Sequence, residues 1–232
     1  MISKGPIGVF DSGYGGLTIL SEFRKLLPEY DYLYLGDNAR APYGNRSYDV
    51  VYNFTLEAVK LLRNRGCRLV ILACNTSSAK ALRTIQQQDL QNMDSEFRVL
   101  GVIRPTTESI GELSQSKHIG VLGTEGTVNS NSYGIELQKF FPEVEVTQHS
   151  CPMWVPLIES NKHLSESGKA IIKEDFFELL NKSPKIDTIL LACTHYPIIA
   201  SFLKEISSPK IRIISQGPIV AEKLYDYLQR NR

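Results

Sequence analysis

Short, almost wholly apolar runs alternate along this chain with longer stretches in which apolar positions recur every three or four residues. The first kind reads as strands buried on both faces and the second as helices that bury one stripe. Their alternation predicts an α/β fold, with parallel sheet covered by helices. Strands are expected at Ile7–Phe10, Tyr32–Leu35, Leu69–Ala73, Val99–Val102, Ile119–Leu122, Val144–Thr147, Thr188–Ala192 and Ile211–Ile214. Helices are expected over 15–27, 47–65, 77–88, 106–115, 128–141, 166–182, 197–206 and 217–230, the last with Val220, Leu224, Tyr227 and Leu228 on one stripe. The polar stretch QQQDLQNMDSEF (86–97) holds little that builds a core and is the expected domain boundary, with a second crossing at SSPK (207–210).

Two segments repeat one another. VILACNTSSA (70–79) and ILLACTHYPI (189–198) each run from an apolar strand through Ala-Cys into polar residues suited to opening a helix. They stand about half a chain apart, which predicts two similar βα units facing each other across a cleft. In open α/β sheets, ligands gather beyond the carboxyl ends of the strands. Here those ends carry DSGYGG (11–16), GDNARAPYG (36–44), CNTSS (74–78), GTEGT (123–127) and CTHYP (193–197). A binding site at these ends is expected.

Composition narrows the classes. At 232 residues, 42% hydrophobic and 22% charged, the chain suits one large α/β domain or two small ones. Its net charge of +1 and lack of any Lys/Arg block weigh against nucleic acid as a partner. No apolar run approaches the ~20 residues that span a bilayer, and MISKGPIGVFDSG reads as a first strand instead of a signal peptide, so a reducing cytoplasm is expected. Cys67, Cys74, Cys151 and Cys193 form no Cys-x-x-Cys pair and lie too far apart for a zinc cluster, so no metal is expected. Cys67 and Cys151 read as small buried hydrophobes.

Gly13 and Gly15 begin like a dinucleotide loop, but Thr18 stands where Gly or Ala is required, and there is no Gly-Lys-Ser/Thr. The loop still aims backbone N–H groups at an anion, and a carboxylate fits as well as a phosphate. Ser12, Asn75, Thr76, Thr124, Thr127 and Thr194 add small hydrogen-bonding groups, or merely cap helices. Cys74 and Cys193 each precede an expected helix start, where a thiol pKa falls from about 8.5 toward neutrality. His195 is two residues from Cys193, and Asp11 and Glu159 are acidic groups able to govern the proton. A thiolate on one face of a carbon and a thiol on the other would invert it, with no metal or organic cofactor. The carbanion must then delocalise into an adjacent carboxylate held by fixed donors. A Cys–His–Asp hydrolase would leave the second cysteine unexplained, and a redox pair would need the sulfurs near bonding distance. His195, Glu159 and Asp11 also have plainer readings as a structural histidine, a helix-surface carboxylate and a helix cap.

At these residues the sequence resembles the glutamate racemases, cofactor-independent amino-acid racemases of bacterial cell-wall synthesis. The matching segments are IGVFDSGYGGLT, GDNARAPYG, ILACNTSSA, GVLGTEGTVNSNSY, CPMWVPLIE and LLACTHYP, spread from residue 7 to residue 197. The resemblance implies two pseudosymmetric domains, each a mainly parallel sheet flanked by helices, with the active site between them. Residues 1–97 plus 210–232 would form the one carrying Cys74, and 98–209 the one carrying Cys193. It implies that these cysteines are acid/base residues on opposite faces of glutamate, Asp11 supporting the first and Glu159 and His195 the second. Ser12, Pro42, Tyr43, Gly44, Asn75, Thr76, Thr124, Thr127 and Thr194 match substrate-holding positions.

The implied activity interconverts L- and D-glutamate and supplies D-glutamate for peptidoglycan. Glutamate is then the partner, without nucleic acid or membrane, and a homodimer is left open. An aspartate or broader racemase differs by one methylene of pocket depth. A non-catalytic carboxylate-binding protein, or a gyrase-binding one such as some family members are, is the rival from another class. Two departures stand out: Thr106 and Thr107 in GVIRPTTESI, where small residues usually follow Pro, and Ser215 and Gln216 in IISQGPIVA, where an Ile-Asp-Ser-Gly pattern is usual. They are expected to touch regulation or packing.

Overall fold

The computed structural model describes residues 5–93 and 95–231. Within them, β1 (Ile7–Asp11), β2 (Tyr32–Gly36), β3 (Leu69–Leu72) and β4 (Arg98–Gly101) form a parallel sheet of order β2-β1-β3-β4. A second parallel sheet, β6-β5-β7-β8, is built from β5 (His118–Gly123), β6 (Glu145–Ser150), β7 (Thr188–Ala192) and β8 (Arg212–Ser215). The helices are α1 (Leu17–Leu26), α2 (Tyr48–Asn64), α3 (Asn75–Lys80), α4 (Leu82–Thr84), α5 (Ile103–Leu113) and α6 (Glu125–Asn129). They continue with α7 (Ser132–Phe140), α8 (Trp154–Glu159), α9 (Glu166–Lys182), α10 (Ala200–Ile206) and α11 (Gln216–Arg230).

The two sheets share one winding rule, with the first strand of each half central, the second on one side and the third on the other. The chain therefore reverses direction around β1 and again around β5, and such switch points leave a crevice beyond the strand ends. The two Ala-Cys copies follow β3 and β7, the equivalent strands of the two halves. β1, β3 and β7 are buried along their whole length, as apolar strands covered on both faces must be.

Helices supply that cover. In the first half, Ile7, Val9 and Ile71 pack on Ile19 and Phe23 of α1 and Val220 and Leu224 of α11. On the other face, Phe10, Val70 and Leu72 pack on Val51, Val59 and Leu62 of α2. In the second half, Ile119, Val121 and Leu190 meet Ile110 of α5 and Tyr133 and Leu137 of α7. Its opposite face sets Leu122, Ile189 and Leu191 against Ile172, Phe176 and Leu179 of α9.

The expected α/β class, with eight strands in sequence order, holds; sheet membership differs from expectation at two places. Although the chain was expected to change domain at 97 and 210, β4 pairs with β3 in the first sheet and β8 with β7 in the second. Of the polar stretch 86–97, residues 86–93 and 95–97 thus lie between neighbouring strands of one sheet, beginning in a π-helical turn at Ile85–Asp89. Gln86, Gln87, Gln88, Gln91, Ser95 and Glu96 are exposed, whereas Phe97 is buried. α11 alone returns to the first half, against α1.

Three helices also differ. The one expected over 77–88 opens at Asn75 and breaks at Ala81. The one over 128–141 divides at Asn131, whose left-handed backbone (φ 51°) an asparagine tolerates. α8 was not among the expected helices, and Pro156 lies within it. Pro156 occupies the first turn, where a backbone N–H has no helical partner to lose.

Asp187, just before β7, ties down the turn leading into β5. Its carboxylate accepts from the Ser114 hydroxyl (2.7 Å), the Gln115 and Ser116 N–H groups (2.8 and 2.7 Å) and the Thr188 hydroxyl (3.0 Å). Partial burial pushes its pKa up, but those donors together pull it from 3.8 down to about 2. A carboxylate held low in the folded state stabilises it above the unfolded value and loses that effect as pH falls. Asp187→Asn should therefore cost roughly 1 kcal/mol near neutrality, the partner bonds being partly screened by solvent. The gap should close as pH drops from 3.8 toward about 2. Urea unfolding of both chains across that range is the check, and a pH-independent gap would contradict it.

Candidate active site

Residues following six strands converge on one cavity of about 280 Å³ between the halves. Of those singled out by sequence, Ser12, Pro42, Tyr43, Gly44, Cys74, Asn75, Thr76, Thr124, Glu159, Cys193, Thr194 and His195 line it. Asp11 and Thr127, both fully buried, stand one layer behind. Thr127 backs Thr124, whose Oγ1 accepts from the Thr127 N–H (3.3 Å) and whose hydroxyl donates to Thr127 Oγ1 (3.2 Å). Gly13, Asn45 and Glu125 also line the cavity, with an apolar wall of Pro152, Met153, Val155 and Pro156. That wall belongs to CPMWVPLIE, whose lack of helical periodicity conceals α8. A volume at the small end for ligand sites suits a small metabolite.

The first thiol sits where β3 ends beside β1, the Ala73 N–H donating to Phe10 O (2.8 Å). Cys74 then caps α3: its sulfur accepts from the Ser77 N–H (3.5 Å), and its thiol donates to Ser12 Oγ (3.5 Å). Burial pushes its pKa up, the nearby Asp11 charge pushes further, and the Ser77 and Ser12 bonds only partly offset them. Cys193 follows β7 but opens a 3-10 turn at Tyr196–Ile199 and not an α-helix. Burial again drives its thiol up, against a backbone bond from His195. The expected lowering toward neutrality is thus reversed. Removing a sulfur from water costs its charged form more than one short helix end or a few long hydrogen bonds return.

Each thiol has a polar neighbour. His195, 5% exposed, places Nδ1 4.0 Å from Cys193 Sγ and Nε2 3.0 Å from Glu159 Oε1. The carboxylate thus holds the ring so that its other nitrogen faces the sulfur. Glu159 rides on α8, which is braced from behind. The Trp154 indole donates to Asp175 Oδ2 (2.6 Å) and its ring packs 4.8 Å from that of Tyr196. Asp11 accepts from the Gly13 N–H (3.0 Å) and from the Thr194 hydroxyl across the cleft (3.3 Å). Burial raises its pKa, although His195 and those donors pull the other way. Its charge bears on Cys74, Cys193 and His195 alike.

The halves meet closely here. A Cβ on Gly15 would lie 2.4 Å from Thr194 Oγ1 and 2.5 Å from His195 Nδ1, so only glycine fits. Gly44 O accepts from the Gly126 N–H (2.7 Å), and the Thr76 and Thr124 hydroxyls stand 3.0 Å apart. Among the described lining residues none is Lys or Arg. Ligand carboxylates would therefore meet neutral hydroxyl, amide and backbone donors. A separate group that could hold a metal, His149, Cys151 and Asp175, is already engaged by protein. Lys182 Nζ lies 2.8 Å from His149 Nδ1, and Trp154 occupies Asp175.

The sequence matches the Asp/Glu/Hydantoin racemase family over residues 18–224. It is 36% identical to a glutamate racemase from Streptococcus gordonii over 230 residues, covering 98% of this chain and 84% of that protein. Glutamate racemase structures superpose closely: one from Bacillus anthracis with TM-score 0.85 at 35% identity, and one from Francisella tularensis in complex with D-glutamate with TM-score 0.86 at 33% identity. Each comparison covers 98% of this chain and 82% of the other.

The raised thiols make a prediction about reactivity. Only the thiolate alkylates, so modification of Cys74 and Cys193 by iodoacetamide should be slow near neutrality and climb with pH past the ordinary thiol value of 9.0. Peptide mass spectrometry against pH reads this directly. A plateau reached by about pH 7 would mean that lowered thiol pKa values were right after all.

Proposed function

The chain belongs to the Asp/Glu/Hydantoin racemase family and is an amino-acid racemase; we propose that its substrate is glutamate and that the Cα proton is exchanged between Cys74 and Cys193. One observation carries this reading: two thiols from equivalent strand ends of the two sheets line a single cavity. The glutamate racemases it resembles, one of them holding D-glutamate, support the substrate.

One sulfur enters the reaction as thiolate. Its lone pair takes the Cα proton, so that a C–H bond breaks and an S–H bond forms, and the released electron pair spreads into the α-carboxylate. The opposite thiol then gives its proton to the other face of Cα, where a new C–H bond forms, and that sulfur is left charged. Forming the first thiolate requires a proton acceptor, because burial keeps both sulfurs protonated at rest. For Cys193 that acceptor is His195, with Glu159 stabilising the resulting imidazolium. On the Cys74 side the supports are the Ser12 hydroxyl and the Ser77 N–H.

Ser12, Asn75, Thr76, Thr124 and Thr194 hold the substrate carboxylates. Fixed neutral donors of this kind are already oriented when the substrate arrives and need not reorganise as the electron pair moves onto the α-carboxylate. The carboxylate itself absorbs the electron pair, so the cycle requires no organic cofactor or metal. Among the described residues no helix is long and apolar enough to cross a membrane. The four cysteines are free, which fits a reducing cytoplasm where D-glutamate would be made for peptidoglycan.

Purified protein incubated with L-glutamate in deuterated water should yield D-glutamate and deuterium at Cα; if neither forms, the reading fails. Cys74→Ser and Cys193→Ser should each lower kcat for racemisation by about 10²-fold or more, the usual scale for a lost acid/base step, with melting temperature unchanged. Rates on aspartate, measured alongside, report how far the pocket tolerates a shorter side chain.

A further inference from the structure

The two departures noted in the sequence, at Thr106 and Gln216, meet in the folded protein. Gln216 opens α11 and is 2% exposed. Its Nε2 donates to Thr106 Oγ1 on α5 (3.0 Å) and to the Tyr133 hydroxyl oxygen on α7 (2.6 Å). Its Oε1 accepts from Asn75 Nδ2 on α3 (2.7 Å), and the Tyr133 hydroxyl donates to Asn75 Oδ1 (2.5 Å). Asn75, Gln216 and Tyr133 thus close a buried ring in which each donates to the next. Of the three, only Asn75 lines the cavity.

Such a ring has two self-consistent directions, related by turning over both amides. Thr106 selects one. Its hydroxyl is committed as donor to Val102 O one turn back (2.7 Å), so toward Gln216 it acts only as acceptor. Gln216 must therefore present N–H to Thr106 and to Tyr133, which leaves its carbonyl for Asn75. The Asn75 amide is then held with its oxygen on Tyr133 and one N–H on Gln216. Its second N–H remains for the cavity. The reversed ring would put the carbonyl oxygen of Gln216 against an oxygen that has no proton to offer, and burial makes that costly.

We propose that Gln216, Tyr133 and Thr106 are positioning residues that lock the Asn75 amide so that its spare N–H is available to a carboxylate of the substrate. This rests on the reading of the cavity as a glutamate site. The two departures are then one device, an acceptor at 106 giving direction to an amide at 216. The donor set of the pocket is thereby fixed from α5, α7 and α11, behind its wall.

The test uses the intact chain, with melting temperature recorded for every variant and D-glutamate binding measured by calorimetry beside turnover. Gln216→Met and Tyr133→Phe should each raise KM and the D-glutamate dissociation constant roughly tenfold, the scale of one hydrogen bond to a charged group. The effect on kcat should stay within about threefold, because a carboxylate contact serves ground and transition states alike. In an Asn75→Ala background neither change should add to the loss, since the group they orient is gone. Thr106→Val removes the acceptor without changing size and should raise KM, whereas Thr106→Ser retains it and should restore wild-type KM. That pair keeps the test decisive if Gln216→Met does not fold. Unchanged KM in folded variants, or losses that multiply with Asn75→Ala, would show a purely structural bridge and overturn the proposal. A wild-type chain that neither binds nor turns over glutamate would instead overturn the functional reading, and this inference with it.

Discussion

Removal of two sulfur atoms from water governs the rest of this site. Cys74 and Cys193 are 5% and 7% exposed, and desolvation is the largest influence on both thiols. A buried thiolate is unfavourable unless something nearby stabilises it, and here the neighbours are arranged for that purpose. His195 and Glu159 stand behind one sulfur and Ser12 and the Ser77 N–H behind the other, while the charge of Asp11 works against both thiolates. In the proposed reaction the same burial keeps water from competing for a proton at Cα. Chemistry that uses a high-energy thiolate and protects a carbanion gains from the feature that makes the resting thiols unreactive.

That arrangement demands close contact between two halves built on separate sheets. The contact is made by small residues and short hydrogen bonds. Gly15 lets the first loop reach His195 and Thr194, the Gly44 carbonyl takes the Gly126 N–H, and Thr18 Oγ1 donates to Thr194 O at 2.9 Å. α11 leaves the second sheet through β8 yet covers the first, so the chain crosses between halves at the end as well as in the middle. The ring of Gln216, Tyr133 and Asn75 sits at that crossing, where orienting one amide draws on helices from both halves.

Much of this was legible in the sequence. Strands such as LVIL and TILLA are short and almost wholly apolar, as strands buried on two faces are. Once the sheets are parallel, reactive groups at strand carboxyl ends fall on one side of each sheet, which is why twelve of the residues singled out in advance line one cavity. Less legible was sheet membership: a run such as RVLG pairs equally well with either sheet by pattern, and only the available edge decides. α8 was not legible either: CPMWVPLIE lacks helical periodicity, and its Pro156 is tolerated because it falls in the first turn.

By itself, the sequence determined the βα alternation, the equivalence of the two Ala-Cys units and which ionisable side chains stand at the strand ends. These depend on covalent order and on local periodicity of two or 3.6 residues. The tertiary structure alone decided the upward shift of both thiol pKa values, the nearness of Asp11 to both sulfurs, the retreat of Thr127 behind Thr124 and the direction of the Asn75 amide. Each of those depends on how much water is excluded and on which distant atom supplies a donor or an acceptor. Such quantities come into being only when segments remote along the chain are packed together.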